Sequence, residues 1–102
     1  MHWGWLGRWW KRRAQPAQRQ EQVILYTRHG CHLCEQAWEL LEAACRRHGF
    51  ALTAVDVDTD PVLAAEHGLH VPVVVVQGKV RFRGVVNPVL LERLFRAQPP
   101  IV

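Results

Sequence analysis

Hydrophobic periodicity divides residues 23–98 into alternating strands and helices. The run "VILYT" at 23–27 is rich in β-branched and aromatic residues, which is typical of a short buried strand. From Leu33 to about His48 the apolar positions recur with helical spacing, and Gly49 then provides a helix stop signal. The residues predicted to share the inward face of this helix are Cys34, Ala37, Trp38, Leu41, Ala44, Cys45 and His48.

The middle of the chain predicts a strand followed by a short helix. The segment "FALTAVDVD" at 50–58 alternates between apolar and polar positions, as strands do. Asp60 is a suitable N-cap, and Pro61 suits the first helical position. This helix is predicted to run to His67 and to end at Gly68.

A β-hairpin and a final helix are predicted for the remainder. In "VPVVVVQGKVRFRG" at 71–84, Gln77 and Gly78 form the predicted tight turn, and Val80 and Phe82 are predicted to share one face. Asn87-Pro88 starts the last helix. Its predicted inward-facing residues are Val89, Leu90, Leu91, Leu94 and Phe95. The resulting order, β-α-β-α-β-β-α, predicts an α/β fold with a four-stranded mixed sheet flanked by helices.

Charge separates the first 22 residues from the rest of this 102-residue chain. Residues 1–22 hold four of the five tryptophans, five basic side chains and one acidic side chain, whereas residues 23–102 hold eight of each charge. The net charge of +4 therefore lies entirely in the first segment. A nucleic-acid-binding domain usually carries its own basic excess, so no nucleic-acid partner is expected. We divide the chain into a Trp/Arg-rich tail and linker (1–22), one domain (23–98) and a C-terminal end (99–102).

Three interpretations remain open for the tail. Tryptophan favours the membrane interface and basic residues favour anionic lipid, so residues 1–13 could contact an anionic membrane peripherally. A partner-binding tail and an extension without a role are the alternatives. The apolar part is interrupted by glycine and arginine and is followed by its charges, unlike a secretory signal. We therefore expect a cytoplasmic protein, placed at the inner membrane face if the tail binds lipid.

Two cysteines carry the candidate chemistry. Cys31 and Cys34 lie where the first predicted strand leads into the first helix. A helix N-terminus favours an anion, and the thiolate is the reactive form of cysteine. Arg28, His29 and His32, when charged, would favour that thiolate further. A metal clip built from the two cysteines and a histidine stays open, although zinc sites usually need four ligands.

These features together resemble a known family. A C-x-x-C at a strand–helix junction is typical of a thioredoxin-like redox motif. With "YTRHGCHLC" at 26–34, Val71-Pro72 before a strand, and Gly84 and Asn87 before the last helix, residues 23–97 resemble a glutaredoxin-like protein of the thioredoxin superfamily. The C-H-L-C sequence is similar to that of a bacterial branch of this group. The resemblance implies a thioredoxin fold with a cis-proline facing the cysteines.

The resemblance also implies roles for individual residues. In glutaredoxins a basic residue, the backbone at the cis-proline and a Gly-Gly…Asp segment hold glutathione, and the matching residues here are Arg28, Val71, Pro72, Gly84 and Asn87. The chain departs from the pattern at Arg83, which replaces the first glycine, and at Asn87, which replaces the aspartate.

The implied function is thiol–disulfide exchange with Cys31 and Cys34 as catalytic residues. The substrate would be a disulfide-containing protein or a glutathione mixed disulfide. We expect a monomer without a bound cofactor or metal, and glutathione or a dithiol reductase as electron donor. The alternatives are a metal- or iron–sulfur-binding module and a non-catalytic interaction module of the same fold.

Overall fold

Residues 23–97, the part that the computed structural model describes, form one mixed sheet with three α-helices. The strands are β1 (Val23–Thr27), β2 (Leu52–Asp56), β3 (Val73–Val76) and β4 (Lys79–Arg83). The helices are α1 (His32–His48), α2 (Pro61–His67) and α3 (Pro88–Ala97). The predicted order and the α/β class are confirmed. The predicted tail (1–22) and C-terminal end (99–102) lie outside the described residues.

The strand order in the sheet is β2-β1-β3-β4. β1 runs parallel to β2, with Thr27 opposite Asp56, and antiparallel to β3, with Tyr26 opposite Val73. β3 and β4 form an antiparallel hairpin. The carboxyl ends of β1 and β2 and the start of β3 therefore meet at one end of the sheet, where the loop to α1 also begins.

The hydrophobic core lies between the sheet and the helices α1 and α3. The predicted inward face of α1 is confirmed for Cys34, Ala37, Trp38, Leu41, Ala44 and Cys45, which are all buried, whereas His48 at the end of the helix is partly exposed. Phe50, Leu91 and Phe95 complete this side of the core. On the other face of the sheet, His67 at the end of α2 stacks on Tyr26 of β1, with ring centroids 4.4 Å apart.

The second strand is shorter than predicted. It ends at Asp56, and a single 3₁₀ turn follows at Val57–Thr59. The carboxylate of Asp56 accepts a hydrogen bond from the backbone N–H of Asp58 at 2.9 Å, which caps this turn and stops the strand. The prediction that the strand continues to residue 58 is therefore wrong, although Asp60 caps α2 as expected by accepting from Val62 N–H.

The predicted turn of the hairpin is confirmed, but the prediction that Val80 and Phe82 share one face of the sheet is wrong. Gln77 and Gly78 both have positive φ, 53° and 83°, as a tight two-residue turn requires. The register shifts by one residue, however, so that Phe82 pairs with Val74 on the core side and Val80 pairs with Val75 on the opposite side. Val80 and Phe82 do not share a face, because a bulge at this point breaks the alternation.

The inward face of α3 is narrower than predicted. Leu91 and Phe95 are buried, whereas Val89 and Leu90 are 61% and 49% exposed. At 100° per residue, Val89 lies about 200° around the helix from Leu91 and so faces away from the core. The prediction that Val89 and Leu90 face inward is wrong. Within residues 23–97, no helix is long and apolar enough to cross a membrane.

Candidate active site

Cys31 is the N-cap of α1. It lies at the end of the loop from β1, in an extended conformation, and is partly exposed. The backbone N–H of Cys34 donates a hydrogen bond to the Cys31 sulfur over 3.2 Å. A helix N-terminus presents unpaired N–H groups and a positive dipole end, so this position favours a negatively charged sulfur. α1 begins at His32, one residue earlier than predicted, and this makes Cys31 the capping residue.

Cys34 lies one helical turn further on and is only 1% exposed. Burial raises the pKa of its thiol to about 12, and a hydrogen bond to the Cys31 side chain acts in the same direction. The Thr27 hydroxyl and the backbone N–H of Arg28 oppose this shift by hydrogen bonding to the sulfur. Both cysteines are free thiols, so the pair consists of one accessible sulfur and one protected sulfur.

Thr27 is a site residue that the sequence analysis missed. It is the one polar residue in the core of residues 23–97, at 2% exposure, and its hydroxyl lies against the Cys34 sulfur. The alternation of residues along β1 could have indicated that Thr27 faces the core. Val23, Leu25 and Thr27 alternate along β1, so Thr27 falls on the core-facing side.

Arg28 is bound to other parts of the chain. Its guanidinium donates two hydrogen bonds to the carboxylate of Asp58, at 3.0 and 3.1 Å, and one to the carbonyl of Gly68 at 2.9 Å. The hydrogen bond from Arg28 lowers the pKa of Asp58 and raises that of the guanidinium. Neither Asp58 nor Gly68 was predicted to belong to the site. The predicted topology could have indicated the Arg28–Asp58 pair, because parallel β1 and β2 end side by side and each is followed by one of these two residues.

The two histidines near the cysteines lie on the surface. His29 is exposed in the loop before Cys31. His32, also exposed, is the first residue of α1, and its Nε2 lies 3.4 Å from Nε2 of Gln36 one turn on. Their influence on Cys31 stays a prediction.

The Val71–Pro72 peptide bond is cis. The pairing of Tyr26 with Val73 places this bond at the end of the sheet where β1 leads toward Cys31. Pro72 is buried and Val71 is partly exposed. The carbonyl of Pro72 accepts a hydrogen bond from Gly84 N–H over 2.8 Å, so the predicted residues Val71, Pro72 and Gly84 lie together.

Asn87 caps the last helix. Its side-chain oxygen accepts hydrogen bonds from the backbone N–H groups of Val89 and Leu90, at 2.9 and 3.1 Å. Arg83 is exposed at the end of β4, directly before Gly84. The glutathione-binding roles assigned to Arg28, Val71, Pro72, Gly84 and Asn87 stay predictions.

The third thiol, Cys45, is buried and is not among the side chains of the metal hypothesis. Cys45 is 3% exposed in the core, and burial raises the pKa of its thiol to about 12. No group of three or more His, Cys, Asp or Glu side chains within residues 23–97 is arranged to hold a metal ion. Cys31 and Cys34 therefore stand as a two-cysteine site in the described part of the chain.

Comparison with known proteins agrees with this geometry. The profile of the Glutaredoxin-like domain (DUF836) family matches residues 22–96. The chain belongs to this family. The X. campestris protein XcR50, known from a crystal structure, is 34% identical, with a TM-score of 0.63, and the match covers 76% of this chain and 99% of that one.

Two further comparisons are informative in different ways. Uncharacterized proteins of Mycobacterium tuberculosis and Mycobacterium bovis are each 38% identical to this chain over 63 residues, which cover 57% of it. The match spans 65% of their length, slightly less than two thirds. A glutaredoxin from Archaeoglobus fulgidus is 24% identical, with a TM-score of 0.55 over 76% of this chain and 89% of that one, and this likeness shows the fold alone.

The fold and the cysteine pair support a redox-type role for this chain. The thioredoxin-superfamily sheet presents Cys31 at the N-terminus of α1 with Cys34 behind it.

Proposed function

We propose that this chain is a thiol–disulfide oxidoreductase in which Cys31 is the nucleophile and Cys34 is the resolving thiol. One observation carries the proposal. A partly exposed sulfur accepts the N–H of Cys34 at the start of α1, and a buried thiol lies directly behind it. The arrangement gives the two sulfurs different tasks, since only Cys31 is accessible to a substrate and only Cys34 is protected from one.

The reaction would run in two displacements. The Cys31 thiolate attacks one sulfur of a substrate disulfide, the substrate S–S bond breaks, and the other substrate sulfur leaves as a thiolate that takes up a proton. Cys34 then loses its proton and attacks the Cys31 sulfur of the mixed disulfide. The second substrate thiol is released and a Cys31–Cys34 disulfide remains. An external thiol donor supplies the two electrons that restore the dithiol.

Substitution of each cysteine tests the proposal. Cys31→Ser should abolish disulfide reduction because the nucleophile is lost. Cys34→Ser should instead accumulate a mixed disulfide on Cys31, visible by mass spectrometry, because the resolving step is missing. Cys45→Ala is the matched control, since it removes the remaining thiol from the core, and it should retain activity. Activity that survives both Cys31→Ser and Cys34→Ser would refute the enzyme hypothesis.

The competing metal or iron–sulfur hypothesis uses the same two thiols and needs a separate measurement. Iron–sulfur clusters and zinc are held by thiolates, so a bound metal would block both cysteines. Purified full-length protein should contain two thiols that form a disulfide on oxidation, with less than stoichiometric zinc and iron. A coloured protein or one metal per chain would favour the binding module over the oxidoreductase.

A further inference from the structure

Arg28 is the basic side chain that the family resemblance assigns to glutathione, and the chain itself already supplies it with a carboxylate. Two of its nitrogens donate to the two oxygens of Asp58, at 3.1 and 3.0 Å, and a third donates to the Gly68 carbonyl at 2.9 Å. This forked pairing is the geometry in which arginine binds a carboxylate most strongly. The positive charge three residues before Cys31 is therefore balanced internally.

The guanidinium of Arg28 lies close to the backbone at Gly68, where α2 ends. A Cβ atom at position 68 would lie 2.8 Å from Nη2 of Arg28 and 2.5 Å from the carbonyl oxygen of Ala64. The backbone of Gly68 has an ordinary helical φ of −57°, so conformation does not require glycine here. The space around it does, because the backbone carbonyl of Ala64 and then the Arg28 side chain would both crowd a Cβ atom. The hydrogen bond from Arg28 to the Gly68 carbonyl joins the end of β1 to the end of α2.

The remaining side chains assigned to glutathione are also used or altered. The Asn87 oxygen accepts the two N–H groups that begin α3. Arg83 places a positive charge beside Gly84, at the position where the resemblance expects the first glycine. Glutathione is a thiol that carries carboxylates and an ammonium group. Few of the residues that the resemblance assigns to it present a charged or polar group that is still available to bind them.

We propose that Asp58 determines which thiol reduces the Cys31–Cys34 disulfide. By pairing with Arg28 it leaves the site with little preference for a thiol that carries carboxylates, so a dithiol donor serves the site better than glutathione does. This inference rests on the proposed function, because it concerns the step that restores the dithiol.

The chemistry of that step explains why recognition matters for a monothiol. A donor thiolate attacks the Cys31 sulfur, the S–S bond breaks, and Cys34 leaves and takes up a proton. A dithiol donor then uses its own second thiol to attack the mixed disulfide, which releases Cys31 as a thiolate and oxidises the donor to a disulfide. Glutathione needs a second molecule for this displacement, and that molecule must find the same site.

The test compares glutathione with its diethyl ester, in which both carboxylates are neutral. Full-length oxidised protein is reduced by each compound, and the thiols are counted by alkylation and mass spectrometry. Each variant's rates are divided by its own rate with dithiothreitol, so that a general change in disulfide reactivity cancels. For the wild-type protein we expect a glutathione-to-ester ratio near one. For Asp58→Asn, which keeps an acceptor oxygen but removes the charge, the ratio should rise about two- to fivefold.

Two further variants isolate the cause. Glu39→Gln removes one negative charge from an exposed position on α1, and the ratio should stay at the wild-type value. The double variant Arg28→Gln/Asp58→Asn should return the ratio to that value, because the gain passes through the released guanidinium.

The outcomes separate this inference from the proposed function. A wild-type protein that strongly prefers glutathione to its ester, or an Asp58→Asn variant with an unchanged ratio, would overturn the role of Asp58 and leave the oxidoreductase intact. If no Cys31–Cys34 disulfide forms, or if dithiothreitol cannot reduce it, the proposed function fails and this inference fails with it.

Discussion

At the scale of single residues, the two active-site sulfurs differ because their surroundings differ. Cys31 is a helix cap at the surface, whereas Cys34 is buried with its pKa raised to about 12. The thiolate is the attacking species, so the raised pKa slows resolution by Cys34. The donors that oppose this shift, the Thr27 hydroxyl and the Arg28 N–H, therefore help the resolving step.

Thr27 should set the rate of resolution. Thr27→Val keeps the shape of the side chain but removes the hydroxyl, and the pKa of Cys34 should rise further. A neutral hydrogen bond contributes about 1 kcal/mol, so resolution should slow about fivefold. Stopped-flow release of a chromogenic thiol from the Cys31 mixed disulfide measures this rate directly.

Thr27→Ser is the matched control, because it keeps the hydroxyl, and it should resolve at nearly the wild-type rate. In all three proteins the rate should increase with pH across the neutral range, since the pKa of Cys34 lies far above it and the thiolate fraction grows with pH. Equal rates for the valine and serine variants would show that Thr27 does not act on Cys34.

At the scale of elements, a cluster of charged side chains joins the end of α1 to α3. Glu92 of α3 contacts Nη2 of Arg47 and Nε2 of His48, each at 2.7 Å. The His48 ring also packs against Phe50 and Phe95, with centroids 6.3 and 5.7 Å away. The polar contact thus covers the edge of the aromatic core and fixes how α3 lies on α1.

Removal of the Glu92 charge should weaken the fold in a pH-dependent way. Hydrogen bonds from Arg47 and His48 lower the pKa of Glu92 from its ordinary value of 4.5. A carboxyl group with a lowered folded-state pKa stabilises the fold above its ordinary value, and this contribution disappears as the pH falls through the folded-state value. Glu92→Gln should therefore lower the urea midpoint at pH 7 and have a smaller effect near pH 3.

Glu42→Gln is the control for this measurement. Among the residues that the structure describes, Glu42 pairs only with Arg46 one turn away on α1, at 3.3 Å, and both side chains are well exposed. Exposed pairs of this kind contribute little, so the midpoint should hardly change at either pH. An equal loss for Glu92→Gln at both pH values would mean that packing, and not charge, explains the effect.

The elements were predictable where one periodicity dominates. The inward stripe of α1 and the Gln77-Gly78 turn follow from local spacing, and both are confirmed. Errors arose where the tertiary structure interrupts that spacing. Periodicity cannot show that a bulge turns Val80 away from Phe82. The error at Val89 has a different origin, because helical spacing itself places Val89 about 200° from the buried Leu91.

The site, like the elements, was predictable where the signal is local in sequence. Cys31, Cys34 and the cis bond before Pro72 follow from a local motif and a family resemblance. Partners that are distant in sequence were not found. Asp58 lies 30 residues from Arg28, and Gly68 lies 40 residues away, so only the assembled sheet brings them together.

At the scale of the whole molecule, charge is distributed unevenly. Residues 23–97 hold eight basic and eight acidic side chains, and the excess of +4 lies in residues 1–22, outside the described part of the chain. Within the domain, β4 carries exposed Lys79, Arg81 and Arg83 at an open edge of the sheet. Charged edge strands discourage pairing with other chains, which favours the predicted monomer.

The tail leads to a prediction about location. Four tryptophans and the basic residues Arg8, Lys11, Arg12 and Arg13 lie within residues 1–13. Each basic residue near an anionic surface contributes about 1 kcal/mol, and indole rings favour the membrane interface. We therefore propose that the tail holds the redox domain at an anionic membrane surface. Full-length protein should co-sediment with anionic vesicles at low salt, less so at high salt, and only weakly with neutral vesicles.

Two variants make the vesicle experiment decisive. Replacement of the four basic residues by glutamine should remove the salt dependence and most of the binding, because the electrostatic attraction is lost while the tryptophans remain. A variant that lacks residues 1–20 should stay in the supernatant and keep its disulfide reductase activity, since Cys31 and Cys34 belong to the domain. If the full-length chain binds anionic vesicles no better than the shortened variant does, the tail serves a protein partner or has no role.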